Sequence, residues 1–231
     1  MDLPQLQARF NNRRDLLLGR WERSRLRNKQ FSIVSNDCWG GVIYERLQMQ
    51  YTTPFVGLMI MAPDYIRLLR ELPRLLFSRL SFTEHSRYPD QERDRTLGIV
   101  GLYPIGLLDE NVELHFLHCG SQRDAYESWQ RRLARLDLDN LWVKFDGSKD
   151  YATRQCRLDY EALPFSNKVM FVRQGDDDVP SALSVPRWCV DGARMARRAS
   201  VVFDHIGWLN GDSGMVEASR RRLRGLVLAG A

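Results

Sequence analysis

Phe31-Ser-Ile-Val-Ser-Asn-Asp-Cys-Trp-Gly-Gly-Val-Ile-Tyr44 is the stretch on which the fold turns. Phe31 to Val34 is a short β-branched and aromatic run, which reads as a buried strand. Ser35, Asn36 and Asp37 form turns and caps. Gly40 and Gly41 let the backbone bend or come close to a neighbour, and Val42 to Leu47 begins a helix. A strand, a polar turn with Cys38 and Trp39, and a helix start make a candidate site. Free N–H groups at such a start favour an anion. The same field is expected to lower the pKa of Cys38 and sharpen it as a nucleophile.

Working outward, strands and helices alternate. Pro54 to Met61 reads as a second strand, with Thr53 lining the same strand-end crevice as Ser35. Pro63 and Asp64 open a helix with Asp64 as N-cap, and Pro73 divides it. Residues 84–95 read as a polar loop. Leu97 to Tyr103 reads as a third strand, 104–106 as a turn, and Val112 to His118 as a fourth strand, with His115 and His118 on opposite sides. Ser121 caps a helix carrying Tyr126, Trp129, Leu133 and Leu136. Further strands are expected at Leu141–Phe145, Val169–Val172 and Ala182–Val185, and helices over 151–163 and 191–209.

This alternation predicts an α/β fold, a three-layer α/β/α domain with a mostly parallel or mixed sheet. Sites in such folds lie beyond the carboxyl ends of strands. That position holds the 35–41 motif, His118 and Asp146.

The chain has 231 residues, 44% of them hydrophobic, enough for a substantial core. No apolar run reaches the roughly 18 residues of a membrane span. There is no secretory h-region, because Leu16 to Leu18 is flanked by arginines. A cytoplasmic location is the expectation, peripheral to the inner membrane if the basic ends touch it. Cys38, Cys119, Cys156 and Cys189 lie far apart with no CxxC pair, against a zinc site or a disulfide framework.

Residues 1–30 hold eight basic and three acidic side chains, and 213–231 hold four and one, so the body between is mildly acidic. That argues against nucleic acid as a partner of the core. The expected organisation is a basic amphipathic helical segment over 1–30, an α/β domain over 31–212, and a basic tail over 213–231. The N-terminal segment either packs on the domain or lies on a surface. The basic ends are solvated faces or contacts for anionic lipid.

Several segments resemble an uncharacterised bacterial family of exopolysaccharide biosynthesis proteins, domain of unknown function 1919. They are Ser35-Asn-Asp-Cys-Trp-Gly-Gly41, Tyr51-Thr-Thr-Pro-Phe-Val-Gly-Leu58, Tyr103-Pro-Ile-Gly106, Glu113-Leu-His-Phe-Leu-His118, Asn140-Leu-Trp-Val-Lys-Phe145, Leu163-Pro-Phe-Ser-Asn-Lys-Val169 and Trp208-Leu-Asn-Gly211, among others. The cover runs from about residue 30 to 212. The family pattern usually has Asn at position 37, so Asp37 is a departure that adds negative charge where an anion was expected.

The resemblance implies an α/β fold and a role around surface-polysaccharide assembly. It brings no established reaction or catalytic residues. On the residues, the leading expectation is a transferase using a sugar nucleotide or other activated sugar. Gly40-Gly41 would approach a phosphate, and Trp39 would stack on the sugar or plug the core. Ser35, Asn36, Thr53 and His118 would bind substrate, and Asp146 or His115 would deprotonate the acceptor. A second reading makes Cys38 a nucleophile for acyl transfer or hydrolysis, against its packing as a small hydrophobe. A third is a non-catalytic partner docked at a membrane. No cofactor is implied beyond a divalent metal at Asp176-Asp177-Asp178, where a solvated loop is the stronger reading.

Overall fold

The computed structural model describes residues 15–99, 101–185 and 203–229. Four strands form a fully parallel sheet in the order β1 (Ser32–Ser35), β5 (Leu141–Asp146), β6 (Lys168–Val172), β7 (Ala182–Ser184). Three others, β2 (Leu80–Thr83), β3 (Ile105–Leu108) and β4 (Val112–His115), make a small antiparallel sheet in chain order. The helices are α1 (15–25), α2 (Trp39–Arg46), α3 (Ala62–Arg70), α4 (Leu72–Leu76), α5 (Pro89–Thr96), α6 (Gln122–Leu133), α7 (Arg154–Glu161), α8 (His205–Leu209) and α9 (Met215–Ala229).

Strand alternation sorts the parallel sheet into two apolar faces. Val34, Val143, Phe145, Met170 and Val172 join the core that includes Tyr65, Leu68 and Leu69 of α3 and Tyr160 of α7. Phe31, Ile33, Trp142, Val169 and Phe171 join the core that includes Trp39 and Ile43 of α2 and Ile206 and Trp208 of α8. Helices thus cover both faces, as expected for α/β. The Tyr65 hydroxyl reaches the carbonyls of Val34 and Lys144, and the Tyr160 hydroxyl those of Val143 and Val169, so each bridges two adjacent strands.

Four local readings are corrected. Pro54 to Met61 is buried but is not a strand: Pro54 lacks a donor, Gly57 turns the chain at φ 75°, and one isolated bridge, Met59 to His115, remains. Leu97 to Tyr103 is not a strand either. Gly98 and Gly101 take positive φ there, and β3 begins at Ile105, where the turn was expected. Residues within 84–95 contribute most of α5, which starts on Pro89 and carries Asp90 and Glu92 in its first turn. Helix α3 starts two residues before Asp64, so Met61 is the N-cap. The Asp64 carboxylate instead accepts from the Glu113 backbone N–H at 2.9 Å and from Arg87. Of the 191–209 helix, residues 191–202 lie outside the described residues; the rest supplies α8, capped by Asp204.

The described parts of both basic ends, α1 and α9, contact the body. Glu22 of α1 pairs with Arg46, and Arg220 of α9 donates to the carbonyls of Val179 and Ala182 beside β7.

Gly40 of α2 faces β1. A Cβ there would lie 2.9 Å from Ile33 Cγ2 and from Ser35 Oγ. A Gly40→Ala change gains about 1 kcal/mol of helix propensity but forces α2 off the sheet, which costs about 1–3 kcal/mol. The expected outcome is a lower urea midpoint; an equal or higher midpoint would contradict this packing.

Candidate functional site

At the carboxyl end of β1 the chain enters a closely bonded turn. Ser35 Oγ donates to the Asp37 carbonyl at 2.7 Å and accepts from the Gly40 N–H at 3.3 Å. Asn36 Oδ1 accepts from the Asp146 N–H at 2.7 Å, and the Asn36 carbonyl accepts from the Ile60 N–H at 2.9 Å. The ends of β1 and β5 are therefore tied together by one side chain.

Asp37 is buried and its Oδ2 lies 2.7 Å from Lys144 Nζ, on a lysine of β5 with no exposure. Its Oδ1 accepts from the Trp39 N–H at 3.1 Å. Burial opposes ionisation of this carboxyl. Lys144 and then Lys149 outweigh it and hold the group below the ordinary carboxylate range.

The negative charge at the start of α2 is thus the protein's own carboxylate. The motif does not offer that position to an external phosphate. The glycine pair serves close packing instead: a Cβ on Gly41 would lie 2.9 Å from Val56 Cγ1. Trp39 plugs the core, 1% exposed, between Phe171 and Trp208 at ring separations of 5.7 and 5.9 Å.

Beside this turn lies a cleft of about 510 Å³. One wall is Asp37, Cys38, Trp39, Gly41, Val42 and Glu45; another is Val56 to Met59; Leu117, His118, Lys149 and Asp150 complete it. Cys38 Sγ is 3.7 Å from His118 Nε2. Gly57 seats the imidazole: its φ is +75°, and a Cβ there would lie 3.1 Å from His118 Cδ2.

The expected activation of Cys38 is not met. Burial, and then the Asp37 carboxylate, push its thiol up to about 11. The field of the helix start is outweighed by desolvation and a neighbouring negative charge.

Of the other expected site residues, His118, Cys38 and Gly41 reach the cleft. Ser35, Asn36 and Gly40 are buried in the turn beneath it. Thr53 is buried and accepts from the Phe55 N–H at 3.4 Å. Its neighbour Thr52 bonds Ser32 at the start of β1, so this pair sits at the wrong end of the strand. His115 is fully buried away from the cleft, with Nδ1 3.2 Å from the Tyr103 hydroxyl and Nε2 3.2 Å from Glu113 Oε2. Asp146 is fully buried as well: its Oδ1 accepts from the Ser148 N–H and hydroxyl at 3.0 and 2.6 Å.

Asp146 acts as an anchor for the loop that follows, and that loop carries the two residues missed from sequence. Lys149 Nζ is 3.6 Å from Asp146 Oδ2. Burial works against its charge, but Asp37, Asp146 and Asp150 raise its pKa above the ordinary lysine range. Asp150 and Tyr151 take φ of 55° and 65°, unusual for two successive non-glycine residues. Asp150 Oδ2 is buried with no hydrogen-bond partner. Burial, and then the charges of Asp146 and Asp37, push the Asp150 carboxyl up to about 6 against the pull of Lys149. The available signal was a Lys-Asp pair three and four residues past a strand's carboxyl end.

The acidic loop does not gather a metal site. Asp176 pairs with Arg157 at 2.9 Å and Asp178 with Arg154 at 3.0 Å. Among the described residues no group of three His, Cys, Asp or Glu side chains is arranged to hold a metal ion.

The strand-end cleft of this α/β fold thus brings together a histidine, a lysine and a proton-retaining carboxyl among largely apolar walls. Residues 10–210 match the family model described as Domain of unknown function (DUF1919), and the chain belongs to that family. The match begins well before residue 30, so it takes in α1. An uncharacterized protein of Haemophilus influenzae is 26% identical over 204 residues, covering 88% of this chain and 89% of that protein. Among the described residues, no helix is long and apolar enough to cross a membrane.

The raised pKa of Asp150 makes the stability of the protein depend on pH. The folded protein holds this proton to about pH 6, whereas an unfolded chain releases it near about pH 4. The native state binds more protons in that window, so this group's contribution to stability falls as pH rises through it and stays lost above. Asp150→Asn keeps the shape, and asparagine tolerates positive φ. It is expected to stabilise the protein by on the order of 2 kcal/mol at about pH 7.5 and by little at about pH 4. Thermal unfolding across pH checks this, and a pH-independent difference would contradict it.

Proposed function

We propose that the protein is a transferase of bacterial surface-polysaccharide assembly that moves an activated sugar onto an acceptor hydroxyl in this cleft. The observation that carries the reading is the unpartnered Asp150 carboxyl oxygen on the cleft wall, on a group that keeps its proton to about 6. A general base works best when its pKa lies near the working pH. Asp150 therefore takes the role first expected of Asp146 or His115. Lys149 is the lysine on the cleft wall, and it would meet the phosphate of a sugar nucleotide as negative charge grows on the leaving group. The apolar walls at Val42, Val56, Leu58 and Met59 suit the faces of a sugar or base. The link to polysaccharide comes from the resemblance of the sequence motifs.

A second reading rests on the 3.7 Å contact between Cys38 and His118. His118 would take the thiol proton as Cys38 attacks an acyl donor. The raised pKa of Cys38 makes this route depend wholly on that histidine.

Melting curves across sugar nucleotides and nucleoside diphosphates test the first reading. A ligand at a hundred times its Kd adds about 2.7 kcal/mol of stability. The expected outcome is a shift with one nucleotide family that Lys149→Met abolishes. A flat panel, with Cys38 acylated by an acyl thioester in intact-mass spectra and not in a His118→Ala variant, would transfer the chemistry to Cys38.

A further inference from the structure

Helix α1 is turned inside out relative to an ordinary surface helix. Its inward side holds a glycine and a charged residue, Gly19 and Glu22, with the buried Leu26 just after the helix. Gly19 lies against the Arg46 carbonyl so closely that no Cβ would fit. Glu22 pairs with Arg46 and lies 3.5 Å from His205 Nε2. His205 and Arg46, against burial, hold its carboxyl down to about 2.

The outward stripe carries the apolar residues. Leu16, Leu17 and Trp21 are 51%, 65% and 55% exposed. They stand at i, i+1 and i+5, within about 140° of the helix circumference, with Leu17 and Trp21 one turn apart. The exposed charged side chains from 16 to 29 are all basic, Arg20, Arg23, Arg25, Arg27 and Lys29, although Arg27 pairs with Asp212, Arg25 lies 4.0 Å from Asp204 and Arg23 donates to the Gln48 carbonyl. The Arg25 guanidinium stands 4.6 Å over the Trp21 ring.

A helix anchored by an inward ion pair, with leucine, tryptophan and arginine turned outward, has the composition of an interfacial membrane helix. A protein partner fits less well. A stable protein interface takes roughly 20–30 residues a side and depletes charge at its centre, whereas this patch is three apolar side chains among arginines. We propose that the outward face of α1 docks the protein on an anionic lipid bilayer, with Leu16, Leu17 and Trp21 entering the interface and the arginines meeting headgroup phosphates.

This surface is independent of the chemistry proposed for the cleft. It does fix where the cleft sits. Arg46, which holds α1, is the last residue of α2, while Cys38 at the other end and Glu45 both line the cleft. The 8 residues of α2 span about 12 Å, so docking through α1 keeps the cleft close to the bilayer.

Co-sedimentation of the full chain with vesicles tests the proposal. Binding is expected to vesicles of phosphatidylglycerol mixed with phosphatidylcholine, weakening with salt, and to be far weaker with phosphatidylcholine alone. A Leu17→Ser/Trp21→Ser variant, both positions exposed, is expected to keep its melting temperature and to lose at least about tenfold in partitioning. Arg20→Glu is expected to weaken binding to the anionic vesicles. The proposal is overturned if the wild-type chain ignores anionic vesicles, or if the double variant binds as the wild type does. It is equally overturned if those two residues govern self-association in sedimentation and leave vesicle binding unchanged.

Discussion

The buried contact between Asp37 and Lys144 is the interaction on which the rest of the site depends. Each charge alone would cost several kcal/mol to bury. Together, and with the Trp39 N–H on the free carboxylate oxygen, they are compensated. The pair joins the turn after β1 to a residue inside β5, 107 positions later. Asn36 adds a neutral tie between the same strands. The start of α2, the ends of two strands and the floor of the cleft are thereby held as one unit. The pair also explains why the turn is not an anion site: the electrostatic need of the helix start is met from within. The ligand-facing groups are left to the opposite walls, His118 from the β4 side and Lys149 and Asp150 after β5.

Much of this was legible in the sequence because it is local. β1, β5, β6 and β7 are short apolar runs bounded by turn formers; helices lie between β1 and β5 and between β5 and β6, while β7 pairs in parallel with β6 through the 173–181 loop alone. The 35–41 turn and the cap at Ser121 follow from residue types at fixed offsets, whereas the cap at Asp204 lay inside the helix expected over 191–209. What failed had the same local appearance with a different tertiary use. Pro54 to Met61 is as apolar as a strand, yet its hydrophobicity serves burial without pairing. Leu97 to Tyr103 looks like a strand because its leucines are apolar, though three of its side chains stand in solvent. The meaning of Lys144 was hidden for another reason. A lysine inside an apolar strand is a cost until its partner is known, and that partner is distant in sequence. Asp37, first read as a departure that adds charge, is neutralised by the lysine of another segment of the same family pattern.

The site residues divide on physical grounds. Those inside the turn, Ser35, Asn36 and Gly40, build the cleft without entering it, and Trp39 touches its edge while its ring sits in the core. Thr53 and His115 belong to other parts of the fold. The residues that face the cleft were found where sequence pointed to a strand end, as with His118, and missed where they lie on the loop beyond one. That loop stores positive φ at Asp150 and Tyr151, held by Asp146 beneath it and by the Ala62 N–H on the Asp150 carbonyl. Such strain concentrates where position matters more than stability.

The central claim is that Asp37 and Lys144 act as one structural unit, and a double-mutant cycle measures it directly. Asp37→Asn and Lys144→Met, each alone, are expected to lose about 3–5 kcal/mol in urea unfolding, because each leaves a buried group without its partner. The double variant is expected to lose less than the sum by about 1–3 kcal/mol. Additive losses would mean that the two charges are held separately, and the account of the turn, the helix start and the cleft floor as one unit would be wrong.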